Sequence, residues 1–207
     1  MNQGIPLKDL SKGDALTSKL KVVLDEENSV AVLFYDHGSR RRFVAQNLGA
    51  LIDYVSAKLL KGRLVYSMCC LSGADLGRRI LNVGALAFFG YDEPFGFFIG
   101  PSEPAFRMSA NEGWNRLALG DSVRKARESM VQTFNNWFDF YTEGPGVDDP
   151  NAPLISSWLI HDRDCLVVLG DMDLTLEEIP TPPEPEPPTT WERFIGFIWS
   201  ILDAFGL

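Results

Sequence analysis

Three short, continuous apolar runs set the terms on which this chain can fold. Residues 30–35 (VAVLFY), 64–68 (LVYSM) and 85–89 (ALAFF) lack the regular polar alternation of a half-exposed strand. Runs of this length and kind are what strands buried on both faces of a parallel sheet look like. The first ends in the turn-forming Asp36-His37-Gly38-Ser39, the second in Cys69-Cys70-Leu71-Ser72-Gly73, and the third in Gly90. Between the first two, Leu48, Leu51, Ile52, Val55, Leu59 and Leu60 recur at helical spacing, which predicts a helix over 47–60 closed by Gly62. A short helix is expected over 75–83. A long amphipathic one is expected over 121–141, with Val123, Ala126, Met130, Phe134, Trp137 and Tyr141 on one side. Residues 165–169 read as a last strand. Strand and helix in alternation predict an α/β domain, a mainly parallel sheet flanked by helices on both faces.

Of the 207 residues, 45% are apolar and 23% charged, enough for a large core and too apolar for general disorder. The net charge of −9 argues against a nucleic-acid partner, whose phosphates call for a basic surface. The charge is also divided: residues 1–90 carry 12 Lys/Arg and 8 Asp/Glu, residues 91–207 carry 7 and 20. After Ile179 the composition changes to Thr181-Pro182-Pro183-Glu184-Pro185-Glu186-Pro187-Pro188, an extended and semi-rigid spacer. The chain therefore divides into a domain over 1–179, a linker over 180–190 and a segment over 191–207 expected to form an amphipathic helix. Thr189 and Glu192 make a capping-box pattern at its start. That segment falls short of the ~20 apolar residues of a spanning helix and carries Glu192, Arg193 and Asp203. With a single basic residue it fits docking on protein better than on a membrane surface.

The cysteines are Cys69, Cys70 and Cys165, an odd number without the spacing of a disulfide framework or zinc site. The two histidines, His37 and His161, lie far apart in sequence, so no metal or other cofactor is expected. No apolar secretory segment opens the chain. These features together predict a reduced, cytoplasmic setting. His161 and Cys165 read as structural.

Functional groups of open α/β sheets gather at the carboxyl ends of the strands. Here two consecutive expected strands end in His37-Gly38 and in Cys70. An imidazole beside a thiol can take its proton and turn a weak nucleophile of pKa ~8.5 into a usable one. The Gly38 and Cys70 N–H groups are then placed to stabilise an oxyanion. The competing reading is ordinary: a cysteine after an apolar strand is often a small buried hydrophobe, and a loop histidine often has only a structural hydrogen bond.

An apolar strand ending in His-Gly, followed by an apolar strand ending in Cys-x-Ser-Gly, resembles the caspase-like (clan CD) cysteine peptidases, in particular the gingipain-like and CHAT branches. Leu81-Asn82-Val83-Gly84-Ala85-Leu86-Ala87-Phe88-Phe89-Gly90-Tyr91 is similar to the passage after their nucleophile. Leu119-Gly120-Asp121-Ser122-Val123 resembles the start of their late helix, and Leu166-Val167-Val168-Leu169-Gly170-Asp171 their closing strand. The resemblance spans roughly 30–176 and implies a caspase-like three-layer sandwich acting as a cysteine endopeptidase on protein or peptide substrates. It implies His37 as general base and acid, Cys70 as nucleophile, and Gly38 with Cys70 as oxyanion donors, without a cofactor. Cys69 is the alternative nucleophile if the facing of the turn is reversed.

Residues 1–29 hold one clear apolar run, Leu20 to Leu24, where the family has one or two further strands before the His-Gly strand. The first strand or strands are therefore expected to be lacking, with an open sheet edge for a protein partner or a second copy. That departure also supports a rival function, a catalytically inactive caspase-like scaffold that docks through the 191–207 helix. Arg40, Arg41 and Arg42, after the His-Gly turn, are candidate contacts for an acidic substrate or partner; the plainer reading is a solvated loop.

Overall fold

The computed structural model describes residues 7–11, 14–26, 28–45, 48–180 and 189–191. The expected spacer lies outside the described residues over 181–188, and the expected terminal helix does so over 192–207.

The core of the fold is a four-stranded sheet built from β1 (Ala31–Tyr35), β5 (Leu64–Met68), β6 (Ala87–Tyr91) and β7 (Leu166–Gly170), in that spatial order. β1, β5 and β6 run parallel, and β7 runs antiparallel to β6. The sheet is thus mixed and mostly parallel. The three apolar runs named above supply its parallel strands, and every residue of β6 is buried.

Helices cover both faces. On one face Phe34, Val65, Cys69 and Phe88 pack with Leu76 and Ile80 of α2 (Leu76–Asn82) and with Leu20 and Leu24 of α1 (Thr17–Glu26). On the other, Leu64, Tyr66, Ala87, Phe89 and Tyr91 meet Leu117 of α3 (Glu103–Ala118) and Val123, Ala126 and Met130 of α4 (Val123–Thr142). A third cluster, with Phe106, Phe134, Ile155 and Leu159, joins α3 and α4 to α5 (Ala152–Asp164). Strand side chains point alternately up and down, so continuous apolar strands fill both cores at once.

The helix expected over 47–60 is not formed. Residues 42–44 and 50–52 instead make β3 and β4 of a small antiparallel sheet with β2 (Gly38–Ser39), and only Ser56–Leu60 coils, as a 3₁₀ turn. Leu48 takes φ +64°, which breaks any helix there and reverses the chain between β3 and β4. The Asp53 carboxylate then accepts the Val55 and Ser56 N–H groups and starts the 3₁₀ turn. Pairing Phe43 with Ile52 buries both completely. Of the six apolar residues, Leu51, Ile52, Leu59 and Leu60 are buried and Val55 is half-buried, while Leu48 is exposed, so their helical spacing marks buried positions of a hairpin and a short turn.

Arg63 ties the amino ends of β1 and β5 to the elements before them. It is 2% exposed, and its guanidinium donates to the carbonyls of Leu24, Ser29, Leu59 and Lys61. Among the described residues, no helix is long and apolar enough to cross a membrane.

Candidate active site

The register of β1 on β5 decides where the two suspected turns lie. Tyr35 pairs with Met68 in a parallel ladder. His37 and Cys70 each stand two residues beyond that last pair, at the carboxyl edge of adjacent strands.

Direct contact between the turns comes from Gly38. A Cβ on Gly38 would stand 2.6 Å from Cys69 Sγ and 2.8 Å from the Cys70 carbonyl oxygen. Only glycine lets the His37 turn lie against the cysteine turn so closely. The His37 N–H donates to Asp36 Oδ1 at 2.8 Å, and its carbonyl accepts Val44 N–H, so the backbone at His37 is held by its own loop and by β3. The Phe34 and Phe43 rings stack 4.5 Å apart and fix the small sheet on the end of β1.

The adjacent cysteines have different environments. Cys69 is 3% exposed in the core with Phe34 and Leu76. Burial pushes its thiol up to about 12, against the opposing hydrogen bonds of Ser72 and Ser67. Cys70 is half-buried, and its Sγ lies 3.9 Å from the Phe95 carbonyl oxygen. The next residue, Leu71, has φ +61°, so the chain turns sharply directly after Cys70.

The rest of the turn motif also has a physical role. Ser72 Oγ lies 2.9 Å from Ser67 Oγ and donates to the Cys69 carbonyl, which braces the turn from below. Gly73 sits where a Cβ would reach within 2.9 Å of Val167, and its N–H donates to the Tyr91 carbonyl. Ser72 and Gly73 of the Cys-Leu-Ser-Gly motif thus have packing and hydrogen-bonding reasons to be there apart from any chemistry.

A third loop completes the edge. Asp92–Phe98 follows β6, and the Leu71 N–H donates to the Glu93 carbonyl. This loop is held from behind by the end of α5. His161 Nε2 lies 2.8 Å from the Pro94 carbonyl oxygen, Asp162 Oδ1 accepts Gly96 N–H at 2.9 Å, and Asp92 N–H donates to the Cys165 carbonyl. Burial pushes the Asp162 carboxyl up to about 8, with the Gly96 hydrogen bond opposing, and the Cys165 thiol up to about 12. The edge rule used for His37 and Cys70 applies equally to the loop after the third parallel strand, and that signal was overlooked. Phe97 on this loop and Ile99 just after it are 61% and 91% exposed.

The three arginines lie in the β2–β3 hairpin. Arg40 Nε lies 3.3 Å from Asp75 Oδ2 and its carbonyl accepts Leu76 N–H, so it joins the hairpin to the start of α2. Arg41 N–H donates to Ser39 Oγ, and Arg42 is half-buried in β3. Arg79 of α2 lies over the Tyr54 ring at 4.4 Å.

Compared with protein families, with curated proteins and with solved structures, the chain finds no match.

Proposed function

We propose that the protein is a caspase-like cysteine endopeptidase in which Cys70 is the nucleophile and His37 its proton carrier. The observation that carries this reading is the paired register of β1 and β5, which ends two residues short of both side chains on one edge. Three further features support it. Cys70 is the more accessible of the two adjacent cysteines, Gly38 is a glycine by steric necessity, and the Phe95 carbonyl of the loop after β6 lies 3.9 Å from the sulfur.

In the proposed reaction the Cys70 proton passes to His37 and the sulfur attacks the scissile carbonyl carbon. The resulting oxyanion is held by the Gly38 and Cys70 N–H groups. As the C–N bond breaks, His37 returns the proton to the leaving amine, which leaves a thioester on Cys70. Water, giving its proton to His37, then attacks the thioester; the acid product departs and Cys70 regains its proton. No metal or redox partner enters the balance.

The test is a mixed-sequence fluorogenic peptide library together with a peptidyl-epoxide probe. Cys70→Ala should abolish cleavage and labelling, His37→Ala should lower kcat/KM by ~10²–10⁴-fold, and Cys69→Ala should retain activity. A folded wild-type protein that neither cleaves nor is labelled at Cys70 would overturn the reading. It would favour instead a catalytically inactive scaffold, the reading supported by the position of β1 at the edge of the four-stranded sheet.

A further inference from the structure

We propose that the carboxyl end of α5 is a divalent-cation site, with His161, Asp162 and Cys165 as ligands and Zn²⁺ as the ion best matched to them. Ligand-capable atoms of the three side chains all lie within 4.8 Å of one another. Their positions, i, i+1 and i+4, bring the imidazole and the thiol to one side of the last helical turn.

A second observation points to a ligand independently of that proximity. Asp162 is fully buried, and its Oδ2 has no hydrogen-bonding partner among the described residues, while Oδ1 is occupied by Gly96 N–H. A buried carboxyl oxygen with nothing to bond is costly, and an ion would satisfy it. The imidazole is also arranged for ligation. The Pro94 carbonyl can only accept a hydrogen bond, so Nε2, 2.8 Å away, carries the ring proton and Nδ1 is left to bind. A metal-bound histidine ordinarily donates its other N–H in this way, which fixes ring and tautomer. The Trp158 ring lies edge-on to the imidazole at 5.0 Å, and a Cβ on Gly96 would strike it at 2.2 Å, so the surrounding shell is tightly packed.

One nitrogen, one carboxylate oxygen and one thiolate suit a borderline-soft ion in tetrahedral geometry, with water as the fourth ligand on the half-exposed His161 side. Bond lengths of ~2.0–2.3 Å require ligand atoms ~3.3–3.8 Å apart, so the cluster contracts by about 1 Å through side-chain rotation. The Cys165 thiol proton and the proton held by the Asp162 carboxyl leave to solvent as the thiolate and carboxylate bind. The site lies behind the Asp92–Phe98 loop, and the ion would lock the contacts that hold that loop beside Cys70.

The experiment is titration of the full-length, chelator-treated protein with Co²⁺, followed by displacement with Zn²⁺. The expected result is a thiolate-to-cobalt charge-transfer band that saturates near one equivalent and is removed by Zn²⁺. Cys165→Ser should abolish the band, His161→Ala should weaken Co²⁺ binding at least ~10-fold, and Cys70→Ser should leave both unchanged. Absence of the band in the wild type, its persistence in Cys165→Ser, or its loss in Cys70→Ser would overturn the proposal. If Cys165→Ser does not fold, His161→Ala decides alone, because it keeps the thiol and alters a half-exposed ring. Neither readout depends on peptidase activity, so failure here is separate from failure of the endopeptidase reading.

Discussion

Two residues at the candidate site show how much depends on a single atom. Gly38→Ala would place a methyl 2.6 Å from Cys69 Sγ, which could rotate, and 2.8 Å from the Cys70 carbonyl, which is backbone and cannot. The expected cost is ~1–3 kcal/mol in urea unfolding, together with separation of the two turns and loss of any cleavage. An unchanged midpoint would show that the close approach is not needed. Cys69 gives a pH prediction with a definite sign. Its thiol is raised by burial from an ordinary value near 9 to about 12, so between those values the folded chain holds a proton that the unfolded chain has released. The stability associated with this thiol is fully present below pH ~9 and is lost as pH rises towards 12, at up to about 1.4 kcal/mol per pH unit. Cys69→Ala should flatten the alkaline fall in stability measured by denaturant melts from pH 8.5 to 10.5. An unaltered slope would mean that Cys69 is not buried as a neutral thiol.

At the scale of elements, the buried strands were legible because a strand covered on both faces is written as an uninterrupted apolar run. α4 was legible because its buried positions, Val123, Ala126, Met130 and Phe134, are large or regularly spaced. α3 was missed for the converse reason: beside Phe106 and Leu117, the face it buries carries Ala105, Ser109, Ala110 and Gly113, small residues that permit close packing and weaken the apolar signal. Gly113 shows the necessity, since a Cβ there would meet Met130 Sδ at 2.4 Å. α5 hides its face similarly, with Ser156 and Asp162 on the buried side. The paired turns at His37 and Cys70 could be anticipated from strand endings. The α5 cluster could not be read from residue types spread along the chain; its cue was the helical spacing from His161 to Cys165. Arg63 also belongs to this scale, because one guanidinium holds α1, the β1 approach and the 3₁₀ turn together. Arg63→Met keeps the length but leaves four carbonyls without their donor. It should destabilise the fold by ~2–4 kcal/mol and lower Tm by several degrees, read by calorimetry. A change under ~0.5 kcal/mol would mean that water replaces the guanidinium without loss.

For the molecule as a whole, the question is where the folding unit ends. The composition changes after Ile179, and the residues just before that change are packed into the domain. Leu174 and Ile179 are each less than a tenth exposed, and both join the cluster formed by Leu64, Tyr66 and Val123. The chain reaches them through hydrogen bonds from Val123 N–H to the Leu174 carbonyl and from Arg124 N–H to the Met172 carbonyl, which tie this last stretch to the start of α4. Thr175 and Glu178 then close a 3₁₀ turn with a reciprocal cap. Beyond it the Pro/Glu composition supplies neither apolar side chains nor the N–H groups a sheet or helix would use. The expected outcome is that a chain ending at Pro180 melts in one transition within ~2 °C of full length, with Cys70 labelled at an unchanged rate. One ending at Asp173 should lose ~3–5 kcal/mol, because it uncovers the core under α4 and removes the Leu174 carbonyl. A large loss already at Pro180 would move the boundary outward and make residues 181–207 part of the fold. A harmless truncation at Asp173 would move it inward, and the capped turn would then serve some purpose other than closing the core.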